Sequence, residues 1–378
     1  MNNPMNCDVQ QLAAPGVRDL HPYLPGKPIS ELQREYGVSD IIKLASNENP
    51  LGPSPAALSV MRENLETLAL YPDGGGFDLR AALADRHGVS AERITLGNGS
   101  NDVLVLLAEA FLTAQHEAVY SQYCFAVYPI AVQATGATAR VAAAVDCGEA
   151  TDSRQAMGHD LDAMAALVND KTRLVFIANP NNPTGTWLQQ AELRAFIESM
   201  PANVLVVLDE AYFEYAAPLG VPDASTWLDD YPNLVVTRTF SKAFGLAGIR
   251  VGYALSSAPV ADLLNRVRQP FNVNSLALLA AEAALADTQY LQQVVSLNAE
   301  GIEQLSAGMQ ALSYKVTPSA GNFLLVDMGR PAMPIYEGLL RQGLIVRPVG
   351  NYGLPDHLRI TIGTKGQNEA LLGALENV

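Results

Sequence analysis

The chain has 378 residues, of which 49% are hydrophobic and 17% are charged, so it is long and apolar enough to bury a large core. Its formal net charge of −15 argues against a nucleic acid or an anionic membrane as its partner. Its three cysteines, Cys7, Cys124 and Cys147, have neither metal-ligand nor redox spacing, which argues against a metal site and favours a reducing, cytoplasmic location.

Residues 1–40 are rich in proline and polar residues and are predicted to form an N-terminal arm. The chain begins without the basic and apolar regions of a signal peptide, and no apolar run reaches the ~18 residues of a membrane helix. We therefore expect neither export nor membrane insertion. Tyr23 in the arm is a candidate to reach a site on the body or on a partner chain, with an exposed turn as the alternative.

A short strand predicted at residues 41–44 leads into the tight loop Ser46-Asn-Glu-Asn-Pro50. Asn47 and Asn49 suit turn geometry and carry amide groups for ligand contacts. Further along, Asp78 is predicted to cap a helix that runs from Leu79 to His87.

A glycine-rich turn follows the predicted strand at residues 94–96, and a long apolar helix is predicted to begin near Asp102. Backbone N–H groups at such a helix start favour phosphate. A dinucleotide fingerprint built on Gly97 and Gly99 would need glycine where Asp102 stands. The turn therefore predicts a cradle for one phosphate, with an ordinary strand-to-helix turn as the alternative.

Three aromatic residues, Tyr123, Phe125 and Tyr128, follow a strand predicted near residues 117–121. An aromatic side chain at a strand end can stack on a flat ligand ring. Packing in the core is the more common fate of a phenylalanine, so both interpretations stay open here.

An acidic residue, Asp209, follows the buried strand predicted at residues 204–208. The carboxyl ends of parallel strands form the ligand-binding edge of an open sheet, so Asp209 should lie at that edge. We expect it to have a cationic partner, because an unpaired buried carboxylate is costly.

One lysine, Lys242, follows the strand predicted at residues 234–236 and is surrounded by small and hydroxyl residues. A lysine amine in an apolar site can form a Schiff base with a carbonyl. Thr239, Ser241 and Arg250 together could hold a phosphate dianion. A solvated surface lysine is the alternative interpretation of this stretch alone.

Strands and helices alternate from about residue 41 to 265, which predicts a doubly wound, mainly parallel α/β sheet. The pattern then changes to a long helical stretch followed by short strands, which predicts a smaller α+β domain. The predicted division is an arm at 1–40, a large domain at 41–270 and a small domain at 271–378.

The segment at residues 179–185 contains two Asn-Pro steps and is predicted to form a rigid turn. Pyridoxal phosphate would engage groups of four kinds found in this chain: a lysine, an acid after a buried strand, an asparagine in this rigid turn and a phosphate cradle. With these residues in this order, the sequence resembles the fold-type I pyridoxal-phosphate-dependent aminotransferases, and most closely their histidinol-phosphate aminotransferase family. The resemblance covers nearly the whole chain. Its motifs are Ser46–Pro50, Tyr71-Pro72, Gly97–Asn101, Asn181–Gly185, Asp209–Tyr212, Thr239–Lys242 with Arg250, and Leu358–Thr364.

The resemblance implies a role for each matched residue. Lys242 would form the Schiff base, Asp209 would pair with the pyridinium nitrogen, and Asn182 and Tyr212 would bind the ring oxygen. Phe125 would stack on the ring, with Tyr123 as the competing choice. The implied phosphate ligands are Gly99, Ser100, Asn101, Thr239, Ser241 and Arg250, with Tyr71 from the other subunit of a homodimer. The implied substrate contacts are Arg359, Tyr23 and Asn49.

The activity implied is transamination of L-histidinol phosphate with 2-oxoglutarate, as in histidine biosynthesis. An aromatic amino-acid aminotransferase of the same fold and a decarboxylase of a phosphorylated amino acid are the alternatives. Asp102 argues against a nicotinamide-dependent enzyme, and the combination of Asp209, Lys242 and Arg250 argues against a non-catalytic binding protein.

Overall fold

The computed structural model of the chain describes residues 8–151 and 154–378, so Cys7 and the start of the predicted arm lie outside the described residues. The helices are α1 (Val9–Leu12), α2 (Pro15–Arg18), α3 (Ile29–Tyr36), α4 (Pro55–Glu63), α5 (Phe77–His87), α6 (Ser100–Phe111), α7 (Val127–Ala134), α8 (Leu161–Ala166), α9 (Gln190–Ser199), α10 (Phe213–Ala216), α11 (Ala258–Val267), α12 (Ser275–Ala286), α13 (Thr288–Ala311), α14 (Ala332–Arg341) and α15 (Lys365–Leu375). The strands are β1 (Ile42–Lys43), β2 (Ile94–Gly97), β3 (Glu117–Ser121), β4 (Thr138–Ala142), β5 (Thr172–Ala178), β6 (Leu205–Asp209), β7 (Leu234–Thr239), β8 (Gly252–Leu255), β9 (Lys315–Thr317), β10 (Phe323–Asp327), β11 (Leu344–Ile345), β12 (Arg347–Pro348) and β13 (His357–Thr361).

The largest sheet has seven strands in the order β2-β8-β7-β6-β5-β3-β4. Every neighbouring pair is parallel except the two pairs that β8 forms with β2 and β7. The sheet confirms the doubly wound, mainly parallel α/β architecture predicted from the alternation of strands and helices. Its central strands are long apolar runs because both of their faces are covered.

Alternation along the central strands decides which side chains face which layer. In β6, Val206 and Leu208 pack into one apolar cluster, whereas Val207 packs into the cluster that contains α6 and α7. Successive side chains of a strand point to opposite faces, so Asp209 continues on the side of α6 and α7. Glu210, the next residue, falls on the opposite side.

A second sheet, with the order β12-β13-β10-β9, is antiparallel and packs against α13, α14 and α15. The strand predicted at residues 41–44 is present as β1, but it pairs with β11 rather than with the large sheet. The residues that follow the arm are therefore tied to the C-terminal part of the chain, which local sequence could not indicate. The domain division at residues 40 and 270 stays a prediction.

Two predicted helix starts need correction. The helix assigned to Asp78 begins at Phe77, and the side chain that accepts hydrogen bonds at its start is Asp73, from Gly75 N at 2.8 Å and Phe77 N at 2.6 Å. The helix expected near Asp102 begins at Ser100, and Asp102 instead accepts from Asn98 N at 2.8 Å. Asp73 thus accepts from the first N–H of α5, and Asp102 accepts from an N–H in the turn before α6.

Within the described ranges, none of the helices combines the length and the apolar character that crossing a bilayer requires.

Candidate active site

A cavity of about 440 Å³ lies where the carboxyl ends of β5, β6 and β7 meet the start of α6, the loop after β1 and the strands β12 and β13. It lies at the edge where open α/β sheets bind ligands. The predicted site residues that line it are Tyr23, Ser100, Asn101, Phe125, Asn182, Asp209, Tyr212, Thr239, Ser241, Lys242, Arg250 and Arg359. Twelve residues spread over more than 330 positions of sequence thus share one cavity.

Lys242 lies in the turn that follows β7. Its Nζ donates a hydrogen bond to the backbone carbonyl of Ser46 at 3.1 Å and lies 5.7 Å from the ring centre of Tyr212. Burial lowers the pKa of Lys242 to about 7, and the positive charge of Arg359 acts in the same direction. A substantial fraction of this amine is therefore uncharged near neutral pH, which a lysine nucleophile or base requires.

Asp209 is 3% exposed, and burial raises its pKa above the usual value. Its Oδ2 accepts a hydrogen bond from the Tyr128 hydroxyl at 2.8 Å, and its Oδ1 accepts one from the Thr237 hydroxyl at 3.1 Å. Among the described residues Asp209 makes no ion pair, so the cationic partner expected from sequence stays a prediction. Two neutral hydroxyl donors satisfy its oxygens instead.

A buried ion pair lies on the opposite face of the same two strands. Arg238 donates to Oε2 of Glu210 through Nε at 3.0 Å and Nη2 at 2.6 Å, and Nη2 also donates to Asp223 at 2.6 Å. The guanidinium carbon lies 3.8 Å from the ring centre of Phe213. Burial raises the pKa of Glu210 to about 7, although Arg238 opposes that shift. This pair joins β6 to β7 directly behind Asp209 and Thr239.

Arg250 and the start of α6 form a cradle of donors. Nη1 of Arg250 donates to the Ser241 hydroxyl at 3.0 Å, and the Thr239 hydroxyl accepts from Ser241 N at 3.1 Å. Gly99 has a φ of +87°, and a Cβ on it would lie 2.1 Å from Nη2 of Arg250. Gly99 does not line the cavity; it lets the helix start approach the guanidinium. Because no side chain caps α6, its first N–H groups remain available for an anion.

Arg359 lies on β13 and is 7% exposed. Its Nη1 donates to Oδ1 of Asn182 at 2.5 Å, and its Nη2 donates to the carbonyl of Ala45 at 2.8 Å. Its Nε is buried and has no partner in the described ranges. Nη1 and Nη2 each carry a second N–H, and a guanidinium on a cavity wall suits an anionic group of a ligand.

Four of the predicted residues do not line this cavity. Tyr71 is 82% exposed and stacks on Phe271, with 4.8 Å between the ring centres. Tyr123 packs in an apolar cluster with Leu325, so of the two candidate stacking rings only Phe125 reaches the wall. Gly99 acts through its backbone, as described above.

Asn49 is the fourth predicted site residue that does not line the cavity. Its position corrects the expectation that Asn49, rather than Asn47, is the asparagine of this loop that contacts the substrate. Its amide donates to the carbonyls of Gly52 and Ala243, at 3.2 and 3.0 Å, so it is used within the local fold. Asn47 lines the cavity instead, and its amide donates to the hydroxyl of Tyr212 at 2.9 Å. The two positions are equivalent as turn residues, so only the folded loop distinguishes them.

Several contributors were not assigned a role from sequence. Tyr128 belongs to the aromatic group that follows β3, and that is the one signal that the sequence offers for it. Arg347 and Tyr352 line the cavity beside Tyr23, with the Arg347 guanidinium 5.9 Å from the Tyr23 ring centre. These two had no signal, because they come from short elements of the C-terminal sheet region.

The family model described as aminotransferase class I and II matches residues 39–375. Histidinol-phosphate aminotransferase 2 of Methylococcus capsulatus is 56% identical over 98% of this chain and 99% of its own. Histidinol-phosphate aminotransferase 2 of Pseudomonas aeruginosa is 55% identical over 98% of each chain. The crystal structure of histidinol-phosphate aminotransferase from Sinorhizobium meliloti in complex with pyridoxal-5′-phosphate superposes with a TM-score of 0.86 at 30% identity, covering 96% of both chains.

Proposed function

The chain belongs to the class I and II aminotransferase family, and from this premise we propose that it transfers the amino group of L-histidinol phosphate to 2-oxoglutarate with pyridoxal 5′-phosphate as cofactor. The products are imidazole acetol phosphate and L-glutamate. The observation that carries the proposal is the single cavity that combines an amine of pKa about 7, at Lys242, with the carboxylate of Asp209 and the guanidinium of Arg359. The names of relatives at 55–56% identity support the choice of substrate.

The donor set of the cavity fits this cofactor. Arg250, the hydroxyl of Ser241 and the uncapped start of α6 supply cationic and neutral donors for a phosphate. The close approach of Gly99 to Arg250, which a Cβ would prevent, is the specific feature of this cradle. Bound pyridoxal phosphate supplies an aldehyde that condenses with amines and a ring that accepts the electron pair of a broken Cα–H bond.

Lys242 acts as the amine and then as the proton carrier. Because burial lowers the pKa of Lys242 to about 7, near a neutral working pH, Nζ is available in its uncharged form to accept a proton from the substrate Cα and can then return it. The Ser46 carbonyl, 3.1 Å away, gives the protonated amine an acceptor between these events. The same group can therefore serve both half-reactions of a transamination.

Asp209 lines the cavity, and its carboxylate would hold a protonated pyridine nitrogen of the cofactor. At about 4 Å and an effective dielectric constant near 20, such a pair attracts by about 4 kcal/mol before desolvation is subtracted. Tyr212 and Asn182 line the same cavity and would bind the ring oxygen. The hydroxyl of Tyr212 stays protonated in this role, because burial raises the pKa of Tyr212 to about 12.

Arg359 and its neighbours would select the substrate. The fork of a guanidinium suits a phosphate and a carboxylate alike, so Arg359 can accept L-histidinol phosphate in one half-reaction and 2-oxoglutarate in the other. Tyr23 from the arm and Arg347 lie on the same wall and would close the pocket over the substrate. Asn49 is not part of this proposal, because its amide is used within its own loop.

The proposal includes a homodimer in which Tyr71 reaches the phosphate cradle of the partner subunit. The supporting observation is that Tyr71 is 82% exposed and packs on Phe271, whose side chain is 45% exposed. Mixing Lys242→Ala and Tyr71→Ala chains tests it, because one site of each hybrid dimer would then have both residues intact. Recovery of activity on mixing supports the shared site, and no recovery in a verified hybrid contradicts it.

A cytoplasmic location is also proposed. The buried free thiol of Cys124 is compatible with a reducing compartment. Cell fractionation tests this directly, and recovery of the enzyme in an extracytoplasmic fraction would contradict it.

Turnover decides the substrate. We expect kcat/KM for L-histidinol phosphate with 2-oxoglutarate to exceed that for phenylalanine or tyrosine. A preference for the aromatic amino acids would assign the enzyme to the alternative aminotransferase class. Release of carbon dioxide from a phosphorylated amino acid would instead identify a decarboxylase.

A further inference from the structure

The way in which Asp209 is held distinguishes this site from an ordinary buried ion pair. Both of its oxygens accept from uncharged hydroxyl groups, Tyr128 at 2.8 Å and Thr237 at 3.1 Å. The backbone amide of Ala211 also favours the ionised carboxylate and so opposes the rise in the pKa of Asp209. These donors offset part of the desolvation of the anion and leave its negative charge unpaired.

Tyr128 is itself fixed by packing. Its side chain is fully buried, and its ring stacks on Phe176 with 4.9 Å between centres and 14° between planes. The edge of the same ring meets Phe125 at 5.9 Å and 88°. Burial, reinforced by the negative charge of Asp209, raises the pKa of Tyr128 well above its usual value, so the phenol remains a donor at any working pH. The hydroxyl has little freedom to leave the carboxylate.

The choice of a neutral donor has a chemical consequence. A lysine or arginine in the place of Tyr128 would stabilise the carboxylate, but it would also cancel the charge that a ligand cation is to meet. A phenol lowers the pKa of the acid and keeps its charge intact. A buried carboxylate with neither a cation nor a hydroxyl donor beside it would take up a proton instead.

We propose that Tyr128 is a positioning residue that keeps Asp209 ionised and directed toward the ring nitrogen of the cofactor. This inference rests on the function proposed above and assigns the hydroxyl donor that this function needs. Tyr128 acts only through Asp209, because its own side chain is not on the cavity wall.

Tyr128→Phe tests the inference, because it removes the hydroxyl and preserves the ring that packs on Phe176. In the cofactor-free protein, a carboxyl ¹³C NMR titration should show a higher pKa for Asp209 than in the wild type. Equilibrium dialysis should show pyridoxal phosphate bound about tenfold more weakly, the loss expected for a hydrogen bond to a charged group. Tyr120→Phe is the matched control, since Tyr120 is 4% exposed in the same apolar cluster and lies off the cavity.

A double-mutant cycle separates positioning from a structural effect. In an Asp209→Asn background, Tyr128→Phe should no longer change cofactor affinity, because the carboxylate on which it acts is absent. An equal loss in both backgrounds, or an equal loss for Tyr120→Phe, would overturn the inference. So would an unchanged Asp209 titration. If Tyr128→Phe does not fold, Thr237→Val removes the other hydroxyl donor and should raise the same pKa.

The two proposals fail in different ways. Wild-type protein that does not bind pyridoxal phosphate would refute the proposed function, while the cofactor-free titration would still measure whether Tyr128 acts on Asp209. Wild-type binding with no effect of Tyr128→Phe on either measurement would refute only the positioning role.

Discussion

Nη1 of Arg359 donates a hydrogen bond to Oδ1 of Asn182 at 2.5 Å, and this contact joins the small antiparallel sheet to the loop that follows β5 of the large sheet. The residues are 177 positions apart in sequence. The guanidinium is thereby oriented from behind while its Nε has no partner in the described structure. The Ala45 carbonyl accepts from Nη2 as well, so two neighbours fix the guanidinium on the cavity wall, where its positive charge is suited to the binding of a substrate anion.

Replacing Arg359 should therefore reduce substrate use much more than cofactor binding. For Arg359→Ala we expect kcat/KM for both L-histidinol phosphate and 2-oxoglutarate to fall by about two orders of magnitude or more, since loss of one partner of a buried charge pair costs about 2–5 kcal/mol. Arg359→Lys should recover only part of this loss, because an ammonium group lacks the two parallel N–H donors of a guanidinium. Steady-state kinetics measure both effects, and a loss confined to one of the two substrates would contradict the shared anion site.

Lys242→Ala should abolish transamination and leave the fold intact. The amine faces the cavity and is not part of an apolar cluster, so we expect activity to fall by more than about a thousandfold with an unchanged circular dichroism spectrum. Borohydride treatment of the wild-type enzyme with pyridoxal phosphate should label the peptide that contains Lys242. Lys171, an exposed lysine at the start of β5, is the matched control, and its alanine variant should keep full activity and labelling. Near-normal turnover of Lys242→Ala would rule out the proposed mechanism.

The amine of Lys242 should titrate near neutrality in the cofactor-free protein. Its pKa is lowered to about 7, so the uncharged form increases as pH rises through 7 and the rate of reductive methylation at Lys242 should rise over the same range. Because Arg359 contributes to the lowering, Arg359→Met should move this rise to higher pH. Mass spectrometry of the modified peptide measures the rate. A Lys242 that reacts with the pH dependence of Lys171 would contradict the lowered pKa.

The lowered pKa also sets the sign of a stability effect. Between pH 7 and about 10.5 the unfolded chain holds a proton on Lys242 that the folded chain releases, so this residue makes the folded protein more stable as pH rises through that range. Lys242→Met should reduce the increase of the free energy of unfolding with pH over this range. Urea denaturation at several pH values measures it.

The buried pair behind the site should matter for stability rather than for chemistry. Arg238→Met leaves Glu210 without its partner, and the loss of stability should be about 3–5 kcal/mol at pH 8. Because the pKa of Glu210 is already about 7, protonation at lower pH removes the unpaired charge, and the loss should be smaller at pH 5. Arg266→Met is the control, since its pair with Asp262 is exposed and should be worth less than about 1 kcal/mol. Similar urea midpoints for the two variants would contradict the expected role of the buried pair.

Gly99→Ala should weaken the phosphate cradle. An added Cβ would lie 2.1 Å from Nη2 of Arg250 at a φ of +87°, so either the guanidinium or the helix start must move. We expect the dissociation constant for pyridoxal phosphate to rise more than tenfold. Gly88→Ala controls for an added methyl group at a positive φ without a clash, since Gly88 has a φ of +64° and no atom within 4 Å of the new Cβ. Its ψ of 31° makes it the less strained of the two positions, because Gly99 has a ψ of 161°, in a region that is essentially restricted to glycine. Equal cofactor affinity in the two variants would remove the steric argument.

Much of this site could be predicted because its residues follow buried strands. Asp209 comes directly after an apolar run and Lys242 lies three residues after the end of β7. Parallel strands bring their carboxyl ends to one edge, so the local pattern placed both residues near a ligand. The contact between Tyr128 and Asp209 could not be predicted, because the angle between α7 and β6 depends on packing across 81 residues of sequence. The prediction that Asn49 rather than Asn47 contacts the substrate also depended on tertiary packing, because only the folded loop directs the Asn47 side chain into the cavity.

The sequence by itself determined the order of strands and helices, the mainly parallel sheet and the lysine and acid at its edge, because hydrophobic periodicity and short motifs are properties of neighbouring residues. Tertiary structure alone decided that β1 pairs with β11, that Arg359 contacts Asn182, and that a neutral phenol rather than a cation holds Asp209. These pairings depend on how distant segments pack, and burial then sets the pKa values on which the chemistry depends.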